Sequence, residues 1–193
     1  MKHENLEINL LHYTTKERIV SYGDIARHVD YLDSEDLEPT NFWGACGGFE
    51  VTVDGFKTIF RNLEFYVLLR AIDFLLCSLF WIKGNRIGWF DIDHEFPNDV
   101  VARFQSGNFI RLQRGEAQSL LFSFLPTDMN KFGLKGTRFF SSEIINREEW
   151  CQKARLALSQ YFDVLVKVID KEPDHPQSKV LKAYQDLWEM ERV

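Results

Sequence analysis

The run Asp91-Ile92-Asp93-His94-Glu95 brings carboxylates and an imidazole together in one short stretch. Hard oxygen donors beside an imidazole suit Mg²⁺, Mn²⁺ or Fe²⁺. Alternation along a strand puts Asp91 and Asp93 on the same face. A metal-dependent enzyme or a small-ligand site would be built on Asp91, Asp93 and His94. No second run in the sequence supplies matching ligands, so the plainer reading is an acidic strand end entering a loop.

Gly44-Ala45-Cys46-Gly47-Gly48 matches a nucleophile-elbow string with cysteine in the nucleophile's place. The elbow works only on a sharp strand-to-helix turn that exposes the thiol beside an oxyanion hole. Here a loop is expected before it and a strand after it. His28, His94 and His175 are all available as bases, and nothing favours one of them. These partial sets do not make the convergent acid, base and nucleophile that catalysis needs. The chain therefore reads as a non-enzyme without a cofactor.

The acidic segment offers a different chemistry. Asp30, Asp33, Glu35, Asp36 and Glu38 follow one another with no base between them. Tyr31, Phe42 and Trp43 flank them. Acids give fast, selective encounter with a basic protein, and aromatics supply anchors. The predicted contact set is Asp30, Asp33, Glu35, Asp36, Glu38, Tyr31 and Trp43. The bland counterpart is a solvated helix end and loop with its aromatics in the core.

Composition narrows the partners. The net charge of −6 argues against a nucleic-acid grip, which needs clustered Lys and Arg. The three cysteines are odd in number and scattered, which excludes a disulfide framework or zinc site and suits a reducing cytosol. The opening MKHENLEINLLHY lacks the charged-then-apolar pattern of a secretion signal. Val67 to Ile82 is apolar but carries Arg70, Asp73 and Ser78, whereas a membrane span needs ~20 largely uncharged residues. A cytoplasmic protein off the membrane is expected.

The elements follow from periodicity. Asn62–Gly84 reads as one helix, apolar on nearly every side, with Phe65, Leu68, Leu69, Ile72, Leu75, Leu76 and Leu79 on one face. Asn62 would cap it and Gly84 would end it. Residues 5–13 read as a strand, Thr14–Gly23 as a short helix capped by Thr14-Thr15, and Asp24–Leu32 as another helix. Pro39–Gly48 reads as a loop. Phe49–Phe60 reads as a hairpin on an Asp54-Gly55 turn, pairing Val53 with Phe56, Val51 with Thr58 and Phe49 with Phe60. Strands are expected at Ile87–Asp93, at Val100–Gln105 and Phe109–Gln113 as a hairpin around Ser106-Gly107-Asn108, and at Ser119–Leu125 and Thr137–Ile145, with a loop over 127–136. A long helix starts at Asn146, with Glu149 completing a capping box and Trp150, Ala154, Ala157, Leu158, Tyr161, Leu165 and Val168 as its buried stripe. Pro173 and Pro176 separate it from a last amphipathic helix.

This order predicts a single α+β domain: an antiparallel sheet of about five to seven strands against a central hydrophobic helix and a long C-terminal helix. Residues 1–48 form a helical, acidic preface, 49–172 the core and 173–193 a helical appendage. One domain suffices, because a chain of this size buries roughly 70% of its unfolded surface.

Two resemblances follow. Arg18–Arg27, with Val20-Ser21-Tyr22-Gly23-Asp24-Ile25-Ala26, resembles a segment of the DNA alkyltransferase family that opens a helix of the DNA-binding winged helix. That family's Pro-Cys-His-Arg stretch is absent, and acids follow Arg27 where a DNA reader needs bases. Taken whole, in size, acidity, aromatic richness and missing catalytic set, the chain resembles immunity proteins of bacterial contact-dependent growth inhibition and polymorphic toxin systems. That resemblance implies one cognate toxin partner, often a basic nuclease, whose active site is blocked by tight binding.

Overall fold

The computed structural model describes residues 5–28, 31–44, 46–54, 57–65, 67–85, 93–104, 107–125 and 141–193. Its elements run β1 Leu6–Tyr13, β2 Ile19–Ser21, α1 Tyr22–Arg27, α2 Pro39–Gly44, β3 Cys46–Val53, β4 Lys57–Phe65, α3 Val67–Ile82, β5 Val100–Arg103, β6 Phe109–Arg114, β7 Ser119–Leu125, β8 Ser141–Asn146, α4 Arg147–Lys171 and α5 Pro176–Arg192. The class is α+β, as expected.

The described strands form two antiparallel four-stranded sheets, ordered β2-β1-β3-β4 and β5-β6-β7-β8, rather than one sheet of five to seven strands. The first sheet is two hairpins, β1–β2 and β3–β4, joined by the pairing of β1 with β3, and the second is a meander. The break between the sheets comes where α3 intervenes in the chain. The second hairpin forms at its predicted place, with Gly107 at φ +82 and Phe104 N–H donating to Asn108 C=O at 2.8 Å.

α3 is the centre. Val67, Leu68, Ala71, Ile72, Phe74, Leu75, Leu76, Ser78, Leu79 and Phe80 are all buried. The Phe74 ring meets Phe49 of the first sheet at 6.2 Å, Phe122 of the second at 6.4 Å and Trp150 of α4 at 6.0 Å. One side chain thus joins three layers, and burying a phenylalanine this fully contributes roughly 2–3 kcal/mol. Ser78 makes the polar exception workable: its hydroxyl accepts Trp150 Nε1–H at 2.9 Å and donates to Leu75 C=O at 2.7 Å. At 16 residues α3 does not span a bilayer, and no helix among the described residues is long and apolar enough to cross a membrane.

The helix starts later than expected. Asn62 sits in β4, paired with Phe49, so it is not a cap. The apolar residues of β4 happen to extend the helical period backwards, while pairing with β3 satisfies their backbone groups instead. The hairpin register also differs: Val53 pairs with Lys57, Thr52 with Thr58 and Val51 with Phe60, with an irregularity between Val51 and Thr52. The loop is therefore longer than two residues. The far end of α3 matches expectation. Gly84 at φ +85 donates to Trp81 C=O, and Asn85 N–H donates to Phe80 C=O, the paired bonds of a left-handed cap.

Thr14 does not start a helix. Its hydroxyl accepts Arg18 N–H at 3.2 Å, closing the β1–β2 turn, with Glu17 in the left-handed region at φ 59. Pro39–Gly44 is a helix, not a loop; Pro39 presets the first turn. Asn146 does cap α4, accepting from Glu148 and Glu149 N–H. Glu149, however, does not reach back to Asn146: its Oε1 accepts Leu6 N–H at 2.7 Å and ties β1 to α4. The predicted α4 stripe is buried throughout. α5 is bound in by Leu181, Trp188 and the buried Glu191, which accepts from Arg155 of α4 and pairs with Lys83 beyond α3. The strand predicted at Ile87–Asp93 and the loop at 127–136 lie, except for Asp93, outside the described residues.

Candidate functional site

The acidic segment is pinned from beneath. Leu32, Asp36, Pro39 and Phe42 point inward and are buried. Asp36, at 2% exposure, uses both oxygens: Oδ1 accepts Thr15 N–H at 2.7 Å and Oδ2 accepts Asp33 N–H at 2.9 Å. Lys16 pairs with Asp33 at 2.8 Å, and Lys171 of α4 donates to Ser34 C=O at 2.9 Å. Asn41 donates to Glu35 C=O. What remains outward is Tyr31, Glu35 and Glu38, all exposed, with Asp33 partly so. Among the described residues neither Glu35 nor Glu38 has a side-chain partner.

An aromatic cluster underlies this surface. His12 of β1 stacks on Phe42 at 5.9 Å, and its Nδ1 lies 2.9 Å from the Tyr22 hydroxyl. Tyr22 meets Tyr161 of α4 edge-on at 5.0 Å. Burial holds the His12 imidazolium down, to about 4, against the weaker opposing pull of Asp36. Burial pushes the Tyr22 and Tyr161 phenols well up. A neutral imidazole sealed at 1% exposure positions its neighbours; it reaches no substrate.

Several predicted residues are placed differently. Asp36 cannot be a contact residue, because it faces the interior and holds the segment in place. Trp43 is half-buried with its ring on Tyr184 of α5 at 6.4 Å, so its role is packing at least in part. Asp30 and Asp91 lie outside the described residues. Asp93 does not wait for a metal: Arg103 Nε and one Nη grip both its oxygens, at 2.7 and 3.1 Å, and hold its carboxyl below the usual range. His94 is exposed. Among the described residues no three His, Cys, Asp or Glu groups gather as metal ligands.

Cys46 opens β3 directly after α2, so the elbow order is inverted. Gly47 has its own reason. A Cβ there would sit 2.7 Å from both Leu11 O and Leu68 Cβ, where α3 presses on the sheet. Burial raises the Cys77 and Cys151 thiols, the reverse of what a nucleophile needs. Within the alkyltransferase-like string, Ser21 caps α1 by accepting Asp24 N–H at 3.0 Å, and Tyr22 is fully buried.

One residue was noted in the sequence only as a charge that argues against a membrane span. Asp73 is the only acid on α3, and its Oδ1 is buried without a hydrogen-bond partner among the described residues. Burial pushes its carboxyl up to about 6, against the lowering hydrogen bond from Tyr184 and the charge of Arg70. The signal was present: a lone carboxylate in a helix otherwise apolar all round.

No known protein family matches the chain, and neither a curated protein nor a solved structure does.

Proposed function

We propose that this chain is a non-enzymatic binding protein, an immunity protein that neutralises a cognate bacterial toxin domain through its acidic surface. The observation that supports this reading is the pinned segment. Leu32, Asp36, Pro39 and Phe42 fix its backbone, so Tyr31, Glu35 and Glu38 are presented without a large ordering cost on binding. Two acids without side-chain partners among the described residues and an exposed tyrosine fit a basic surface with an apolar centre. The partner this calls for is a basic toxin domain, with a nuclease the natural class. The pairing of Asp93 with Arg103 favours this reading over the alternative metal site.

The test begins with the product of the neighbouring gene. It should co-purify with this protein, and the protein should suppress its toxicity. Charge reversal by Glu35→Lys and Glu38→Lys should weaken the complex while leaving the fold intact, since both side chains are exposed. A complex of unchanged affinity would remove this surface.

A further inference from the structure

His175 is available in the sequence as a base, but the fold engages both of its ring nitrogens. It is the N-cap of α5, and its Nδ1 accepts Gln177 N–H at 3.3 Å. Pro176 has no N–H, so Gln177 supplies the first backbone donor of the helix. Nε2 lies 3.4 Å from the Thr40 hydroxyl of α2. The two helices meet again further along, where the Trp43 ring packs on Tyr184 at 6.4 Å.

A backbone amide can only donate, so Nδ1 must offer its lone pair. The ring that caps α5 is therefore neutral, with its proton on Nε2 and directed to the Thr40 oxygen. A second proton goes to Nδ1 and sets a donor against the Gln177 donor. It also places a positive charge at the positive end of a 17-residue helix. Both effects favour release of the ring from the cap.

The surroundings do not lock the charge state. α2 carries no charged residue, and Glu38 stands just before it. The chain leading into α5 brings Lys171, Glu172 and Asp174, and α5 itself brings Lys179 one turn on. These side chains and that of Glu38 are all exposed, and Lys171 donates to Ser34 C=O. Among the described residues none of them bonds the half-buried ring. Histidine is the side chain that changes charge near neutral pH, so this cap answers to protonation.

We propose that His175 is a pH-sensitive latch between α5 and α2: the neutral imidazole holds the first turn of α5 to Thr40, and the imidazolium lets go of both. The latch goes beyond the docking reading and does not depend on it. Glu38 C=O accepts Phe42 N–H of α2 at 2.8 Å, and Asn41 of α2 donates to Glu35 C=O. The acidic segment is therefore the neighbour that release loosens.

The test is an NMR titration of the full chain from pH 7.5 to 5. It follows the His175 ring, the Gln177 amide and the contact between the ring and the Thr40 methyl group. The expected result is a shift of the Gln177 amide and loss of the ring–methyl contact, both in step with protonation of the His175 ring. The amides of Ala157 and Leu158, buried in the middle of α4, should keep their positions. In His175→Asn the cap oxygen accepts at every pH, so the Gln177 amide should no longer move. A Gln177 amide that ignores the ring titration, or that moves equally in His175→Asn, overturns the proposal. So does movement of the α4 amides in step with Gln177, because the change would then belong to the whole fold rather than to the latch.

Discussion

Asp36 Oδ1 accepts the Thr15 amide at 2.7 Å, so the most buried of the described acids in the acidic segment is also its fastener to the β1–β2 turn. Two backbone donors, Thr15 and Asp33, converge on this one carboxylate. Asp36→Ala should therefore cost about 1.5–3 kcal/mol, the range for hydrogen bonds to a charged group. Glu35→Ala, at the adjacent exposed position, should stay within about 0.5 kcal/mol. Urea unfolding of both variants checks the contrast; equal effects would mean that the segment is not fastened as described.

The pH dependence of stability should contain two opposed slopes. Burial takes His12 from 6.5 to about 4, so the folded protein resists a proton that the unfolded chain accepts. That contribution is complete above pH 6.5 and is lost as pH falls towards 4. Asp73 goes the other way, from 3.8 to about 6. The folded protein keeps a proton that the unfolded chain has released, so its contribution is complete below pH 3.8 and lost as pH rises through 6. Each is on the order of 3 kcal/mol, and between pH 4 and 6 they largely cancel. Asp73→Asn should expose the His12 slope, with stability rising as pH rises. His12→Gln should expose the Asp73 slope, with stability falling over the same range. Denaturation midpoints measured from pH 4 to 7.5 decide it, and parallel profiles for the two variants would refute the assignment.

Gly47 and Gly23 should respond oppositely to alanine. At Gly47 the new methyl meets a backbone oxygen and the Cβ of Leu68, both at 2.7 Å and neither able to swing away. A loss of about 1–3 kcal/mol is expected from overpacking. At Gly23 the nearest atoms belong to the Gln160 side-chain end, at 3.2 Å, which can move. Gly23 lies in α1, so alanine gains helix propensity and should be neutral or stabilising. Thermal melts of the two variants test the close approach of α3 to the sheet.

The sequence announces what repeats locally. The stripe from Trp150 to Val168 keeps its period over a 25-residue helix, and every member is buried. The turn at Gly107 and the cap at Gly84 are legible because glycine answers a backbone demand at φ above zero. Non-local choices are not legible in the same way. Asn62 looks like a cap until β3 is there to pair with it. The division into two sheets depends on α3 lying between their strands. Asp36 carries the charge of a surface residue, and only the Thr15 and Asp33 amides make it an interior one. Asp73 was visible as an anomaly, but its missing donor is a property of packing.

The central claim is that outward acids on a fixed segment steer a basic toxin domain to this protein. The association rate of the co-purified toxin, measured by stopped flow for the native protein and for Glu35→Lys with Glu38→Lys at low and high salt, tests it most directly. The account predicts roughly a tenfold or greater fall in rate at low salt, shrinking as salt screens the charges. An association rate that neither the substitutions nor the salt alters would contradict it.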